Sequence, residues 1–394
     1  MFKDKNLLIL SHTYNSFIKD PVEIIAKEFK KVYVLVRYQP ISELSRYIPL
    51  TYFKSRIKYS KKQSIDLTNL PSNIEVIPIP LWYLPFKKSY FSVGKQHAKI
   101  ALKVIEERNI KFDLIHSHFV WSAGYAGMKI KEKYKKPLLM TAHGYDIRDL
   151  PHRSTKLKNA ITDVLKNADR IFTVSQKNNE YLIELGRKDA KILSNGYSSS
   201  LFYFKSQKEC RKKLDLSINQ KIILTVGSLE LVKGYDYLID ALKVVKKKYP
   251  DILCLHIGGG ALESKLKARV QSLGLEKNYK FLGRIPHHEL LDYYGACDIF
   301  ASSSLSEGNP TVMFETLACG KPFIGTTVGG VPDIINSQEY GILCKPMDVE
   351  GLAENILSAL DREWDSKKIL RYSEQFSWEK ICKEILKIYE EVIL

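Results

Sequence analysis

The stretch Ser304-Leu-Ser-Glu307-Gly308-Asn309-Pro310-Thr-Val-Met-Phe-Glu315-Thr-Leu-Ala-Cys-Gly320-Lys-Pro322 decides how the chain is read. Asn309 is a strong helix N-cap residue, and Pro310 suits the first helical position. Gly320 stops the helix, and Lys321-Pro322 opens a strand. The spacing therefore predicts a helix over 310–319. It is apolar nearly all round, the mark of a buried helix. Glu315 is its one charged residue, and a buried carboxylate needs a partner. A core Arg or Lys would serve, and so would the vicinal diol of a ribose. The unbonded amides at the helix start favour a phosphate or sugar oxygen, and Glu307 lies just ahead of them.

Outward from this stretch, strand-like and helix-like segments alternate along the chain. In the first half, apolar runs at 6–11, 31–37, 74–79, 113–116, 137–141, 170–174 and 191–193 read as strands. Helical periodicity falls at 22–30, 93–108, 122–134 and 155–166. The turn-rich Asn195-Gly196-Tyr197-Ser198-Ser199-Ser200 breaks the pattern. Strands at 221–226, 252–257, 279–282, 298–301 and 322–325 follow, with helices at 235–248, 261–273, 287–296 and 352–360. The last segment, 378–392, has apolar Ile381, Ile385, Ile388 and Val392 on one helical face. Such alternation implies parallel sheets covered by helices on both faces. We expect an N-terminal domain over 1–198, a second over 199–376, and a helix over 377–394 returning to the first.

Composition excludes several classes. With 394 residues, 45% hydrophobic and 27% charged, the chain is long enough for two globular domains. Six scattered cysteines without a Cys-x-x-Cys pair suggest neither zinc nor disulfides. The run at 7–10 is too short for a secretory leader, and a cytoplasmic protein is expected. The net charge of +17 is uneven. Residues 1–200 hold 35 Lys and Arg against 18 Asp and Glu, while residues 201–394 hold 26 of each. An anionic partner for the first half follows. Nucleic acid is not expected, since no recognition motif is present. An anionic membrane surface is, with Lys54, Arg56, Lys58, Lys61 and Lys62 as one contact and the protein peripheral on its cytoplasmic face.

Glu307, seven residues, Glu315, with Gly320-Lys321-Pro322 and Gly329-Gly330-Val331-Pro332 behind, resembles the family four (group 1) retaining glycosyltransferases of the GT-B fold. The resemblance implies two doubly wound Rossmann-like α/β domains with parallel sheets facing a central cleft. It also implies metal-independent transfer of a hexose-type sugar from a UDP-, GDP- or ADP-linked donor, without a cofactor. The acceptor would be a saccharide or a lipid-linked glycan, as in cell-surface polysaccharide or glycolipid synthesis. Glu315 would hold the donor ribose. Glu307, Gly308, Asn309, Pro310 and Thr311 would line the sugar side.

Val226-Gly227-Ser228-Leu-Glu-Leu-Val-Lys233-Gly234 resembles the family's phosphate segment, with Lys233 on the diphosphate. The Arg common after the first glycine is Ser228 here. Gly258, in the Gly-Gly-Gly turn after a strand, would pack near the phosphates. That turn lacks the third glycine of a dinucleotide fingerprint at Glu263. Arg284-Ile285 resembles the base-contacting loop. In the first half, His143-Gly144-Tyr145-Asp146 resembles the family's His-Gly-x-Asp, the histidine facing the reaction centre. His118 and Asp146 would line the acceptor side, and so would Ser11-His12, which stand where the family has Gly-Gly. Catalytic roles are thus expected for His143, Glu307 and Lys233. The competing expectations are an epimerase of the same fold or a non-catalytic nucleotide-sugar binder.

Overall fold

The computed structural model describes residues 2–44, 59–83 and 90–393, and the chain divides into two compact units. The first comprises Met1–Ser194 with Trp378–Leu394, the second Asn195–Ser377. Lys54, Arg56 and Lys58 lie outside the described residues. Lys61 and Lys62 are exposed at the start of a short helix, Lys61–Ser64.

The first unit is built on β1 (Phe2–Ser11), β2 (Phe29–Tyr38), β3 (Ile74–Pro80), β4 (Leu114–His118), β5 (Leu138–Ala142), β6 (Arg170–Thr173) and β7 (Lys191–Ile192). Among the described residues they form one sheet in the order β3-β2-β1-β4-β5-β6-β7, paired in parallel throughout. Every residue of β4 and β5 is buried. That explains why these strands read as continuous apolar runs rather than alternating ones, since helices cover both faces. The order runs outward from β1 to β3, then jumps back to β4. The carboxyl ends of β1 and β4 therefore part to leave a crevice at this switch point.

The second unit repeats the plan. β8 (Ile222–Val226), β9 (Leu253–Ile257), β10 (Tyr279–Gly283), β11 (Ile299–Ala301), β12 (Phe323–Thr326) and β13 (Gly341–Cys344) form a parallel sheet in the order β10-β9-β8-β11-β12-β13. Its switch point lies between β8 and β11. The chain is thus a two-domain α/β protein with a Rossmann-like sheet in each unit. The two helices expected over 155–166 and 235–248 form at those limits.

Other expectations shift. The first helix runs Ser16–Ala26 rather than 22–30, because it accommodates Pro21 in its second turn. β2 takes over from Phe29, whose ring is buried. β13 is an addition: Gly-Ile-Leu-Cys is an edge strand of four residues, only partly buried, whose apolar run is too short to stand out. The last helix, Trp378–Ile393, buries Trp378, Ile381, Cys382, Ile385, Ile388 and Tyr389 in the core of the first unit, with Phe29 and Ile18. All six cysteines are free, and five are buried. No described helix is long and apolar enough to cross a membrane.

Candidate functional site

In the second unit, the loops leaving β8 and β11 are laced together at the switch point. Ser303 Oγ donates to the Lys233 carbonyl at 3.0 Å, and Leu305 N to the Val232 carbonyl at 2.8 Å. This brings Lys233 Nζ to 2.6 Å from Glu307 Oε1. Ser304 Oγ donates to the same carboxylate oxygen at 2.7 Å. The pair is largely shielded, the side chains being 22% and 13% exposed. Shielding strengthens the attraction and raises the cost of breaking it.

Behind Lys233 two backbones touch. Gly227 N donates to the Ile257 carbonyl at 2.9 Å, and a Cβ on Gly258 (φ +144°) would lie 1.9 Å from the Gly227 oxygen. Only glycine fits there. His256, pushed down to about 4 by burial and hence neutral, sets its ring between Tyr279 Oη (2.9 Å) and the Gly227 carbonyl (3.3 Å). Ser228 contributes a carbonyl that accepts from Glu230 N at 2.8 Å. Arg284, with Ile285 after β10, runs alongside Gly259: a Cβ there would meet its Cγ and Nε at 3.6 Å.

The helix after Glu307 spans Thr311–Ala318, one residue shorter at each end than the spacing predicts. Asn309 does not cap it. Its side-chain oxygen accepts from Asn195 N at 3.2 Å, its carbonyl accepts from Asn195 Nδ2 at 2.7 Å, and Pro310 occupies the cap position with extended backbone. The Gly308 carbonyl accepts from Gly330 N at 2.8 Å. The amides of Thr311 and Val312, in the first turn, have no intrahelical acceptor and face outward from the helix start.

Glu315 is 3% exposed and, among the described residues, pairs with His287 rather than with Lys or Arg. Tyr294 Oη donates to Oε2 at 2.6 Å, and His287 Nε2 lies 2.9 Å from Oε1. Each oxygen keeps a lone pair for a further donor. Neither partner is legible locally, because both come from the segment that follows β10.

In the first unit, the loops after β1, β2, β4 and β5 enclose a cavity of about 390 Å³ walled largely by aromatic rings. His12 stacks on Phe119 with centroids 4.2 Å apart. Ser11 is fully buried beneath, its Oγ 3.4 Å from Thr13 N. His118 Nδ1 lies 3.2 Å from His143 Nε2. Phe17 and Phe119 hold the His143 ring, whose buried Nδ1 has no hydrogen-bond partner among the described residues. Burial holds both histidines well below the usual imidazole range, His118 at about 3.

Asp146 is not presented as a free acid. Its two oxygens accept from Val120 N (2.5 Å) and Gly144 N (3.0 Å), and burial raises its carboxyl to about 6. It clamps the loops that carry Phe119 and His143. Sequence reasoning missed Arg37, which also lines this cavity. Its place at the carboxyl end of β2 was the available signal.

Two family models match the chain: glycosyl transferases group 1 over residues 206–376 and glycosyltransferase family 4 over residues 58–201. TuaC of Bacillus subtilis, a glycosyltransferase named for teichuronic acid biosynthesis, is 31% identical over 282 residues, 70% of this chain and 69% of TuaC. The chain belongs to the group 1 glycosyltransferases.

Solved structures agree on the architecture of this glycosyltransferase. Sucrose-phosphate synthase from Thermosynechococcus elongatus superposes with a TM-score of 0.77 at 22% identity, covering 98% of this chain and 99% of that one. Anabaena HepE in complex with UDP-glucose gives 0.71 at 21% identity, covering 98% and 100%. The glycosyltransferase thus has the GT-B fold, and Lys233 and Glu307 meet at the switch point of the second sheet.

Proposed function

We propose that this group 1 glycosyltransferase moves a hexose from a nucleotide-sugar donor to a saccharide or lipid-linked acceptor with retention of configuration, in cell-surface polysaccharide or glycolipid synthesis. The observation that carries the reading is the shielded Lys233–Glu307 pair beside the start of the Thr311–Ala318 helix. A cation, outward amides and an orienting carboxylate at a sheet switch point suit a diphosphate joined to a sugar. HepE, solved with UDP-glucose, lends support to a donor of that class.

Glu315 receives the ribose on the lone pairs that Tyr294 and His287 leave. Lys233, with the amides of Thr311 and Val312, takes up the charge that develops on the diphosphate as the anomeric carbon–oxygen bond breaks. The acceptor hydroxyl forms its bond to the anomeric carbon on the same face and passes its proton to the departing diphosphate oxygen. Neither a protein nucleophile nor a metal enters this scheme. Glu307 and His143 orient the sugar. A basic first unit on an anionic membrane would bring a lipid-linked acceptor to the enzyme.

The test is calorimetric titration with UDP-, GDP- and ADP-sugars, followed by transfer assays with Lys233→Ala and Glu307→Ala. Saturable binding of one nucleotide class and loss of at least about tenfold in transfer are expected. Folded variants with undiminished transfer would refute the assignment.

A further inference from the structure

The cavity of the first unit contains a conflict of hydrogen-bond donors. Ser122 N donates to His12 Nε2 at 3.1 Å, which makes that nitrogen the acceptor of the ring. A neutral imidazole has one acceptor and one N–H. Burial, with Arg37 and nearby histidines adding to it, keeps His12 neutral. Its Nδ1 therefore carries the hydrogen. Arg37 Nη2 lies 3.2 Å from that Nδ1. Two donors face each other and cannot bond.

The rest of the guanidinium is scarcely better served. Arg37 Nη1 reaches Ser122 Oγ at 3.4 Å, a long contact, and that hydroxyl already meets His97 Nδ1 at 3.0 Å. Among the described residues no carboxylate pairs with Arg37: the cavity's own carboxylate, Asp146, is turned to the backbone amides of Val120 and Gly144. Five fixed N–H groups around a permanent charge are thus left short of acceptors in a part-buried site. One oxygen lying against both Nη2 and Nδ1 would satisfy the two donors at once.

The walls say what carries that oxygen. Tyr38, Tyr59, Tyr83 and Tyr145 line the same cavity. Aromatic faces of this kind suit the apolar C–H face of a sugar ring. We propose that the first unit binds an acceptor sugar bearing an anionic group, a phosphate or a carboxylate, and that Arg37 with His12 Nδ1–H grips its oxygens. This rests on the transferase reading above, but it is tested by binding alone and needs no donor and no turnover.

The experiment is calorimetric titration of the whole chain at fixed ionic strength with glucose 6-phosphate, glucuronate and glucose. Arg37→Gln, Arg37→Lys and Lys233→Ala are titrated alongside, each checked for an unchanged melting temperature. At least one anionic sugar should bind about tenfold more tightly than glucose, the gain expected of a charge-assisted pair. The better of the two identifies the group as phosphate or carboxylate. Arg37→Gln should lose that advantage, Arg37→Lys should keep part of it, and Lys233→Ala should keep all of it. Equal binding of glucose, no binding of either anion, or a loss confined to Lys233→Ala would overturn the proposal. Failure of the donor reading would show separately, as absent binding of every nucleotide-sugar to the wild-type chain.

Discussion

Replacing Glu307 by Gln should tighten nucleoside diphosphate binding while it cripples transfer. Glu307 Oε1 takes a hydrogen bond from Lys233 Nζ at 2.6 Å and another from Ser304 at 2.7 Å. An amide oxygen can accept both, so the loop keeps its shape and only the negative charge goes. A phosphate oxygen hydrogen-bonded to another face of the same ammonium would sit about 5 Å from the carboxylate oxygen. Repulsion between unit charges at that distance is roughly 1 kcal/mol in water and about 3 kcal/mol at a surface-like dielectric. The loss of an anchor for Lys233 offsets part of this. A net gain of about 1 kcal/mol, roughly fivefold in affinity, is the expected outcome.

The nucleoside diphosphate that binds the wild-type chain is titrated calorimetrically against E307Q and K233A. Transfer is then followed with the matching sugar nucleotide. K233A should bind at least about tenfold more weakly, as befits a lost charge-assisted bond. E307Q should lose about a hundredfold or more in transfer, the scale of a missing orienting group. If E307Q binds the diphosphate several-fold more weakly than wild type, Glu307 serves mainly to hold Lys233, and the reasoning fails.

Three further outcomes follow from the same geometry. His12, His97, His116, His118 and His143 of the first unit, and His256 of the second, are all held below the usual imidazole range, chiefly by burial. A depressed folded-state value means the unfolded chain takes up protons first. Their stabilising contribution is complete above about pH 6.5 and falls as pH drops, by up to about 1.4 kcal/mol per pH unit for each histidine. Melting scans from pH 7.5 to 5 should therefore show a steep loss below about 6.5, and a flat profile would contradict it. Asp146→Asn puts an amide NH₂ against one of two backbone donors, and should cost about 1–3 kcal/mol in urea unfolding; it should also remove the opposing titration of a carboxyl raised to about 6, whose stabilising share is full below about 3.9 and lost as pH climbs past 6. Tyr294→Phe strips a hydrogen bond from the buried Glu315 carboxylate and should cost about 1.5–3 kcal/mol, measured the same way; an unchanged midpoint would mean that His287 alone suffices.

What could be read from the sequence divides along a physical line. Strand and helix alternation was legible because each strand, buried on both faces, leaves an apolar run, and each helix leaves a stripe. The failures are local: Pro21 misplaced the first helix, and the Gly341–Cys344 edge strand has too little buried surface to sign its presence. The donor side was legible because its chemistry is carried by backbone. Gly258 and Gly234 are demanded by close approach and positive φ, and such demands stay at fixed spacing from the side chains they position. The Lys233–Glu307 pair itself was not legible, since the strand order that joins their loops is tertiary. Glu315 illustrates the limit: the need for a partner could be derived, but the partner could not, because Tyr294 and His287 come from a segment with no motif of its own.

The first unit was harder to read for the same reason in stronger form. Its cavity draws side chains from several segments, and many of them sit at or past the carboxyl end of a strand. Arg37 is the last but one residue of β2, His12 follows β1, Phe119 follows β4 and Tyr145 follows β5. No fixed spacing links them, so no single motif marks them beyond His143-Gly144-Tyr145-Asp146 in one loop, and the excess positive charge of residues 1–200 pointed only to the half of the chain. The rule that did reach them is topological. Once the order β3-β2-β1-β4 is known, the residues after β1 and β4 must face a crevice, whatever their identity. Applied to both sheets, that rule selects Lys233 and Glu307 in one unit and His12 and Phe119 in the other. Arg37 then stands out among their neighbours by hydrogen-bond accounting alone, as a guanidinium whose nearest ring nitrogen already bears a proton.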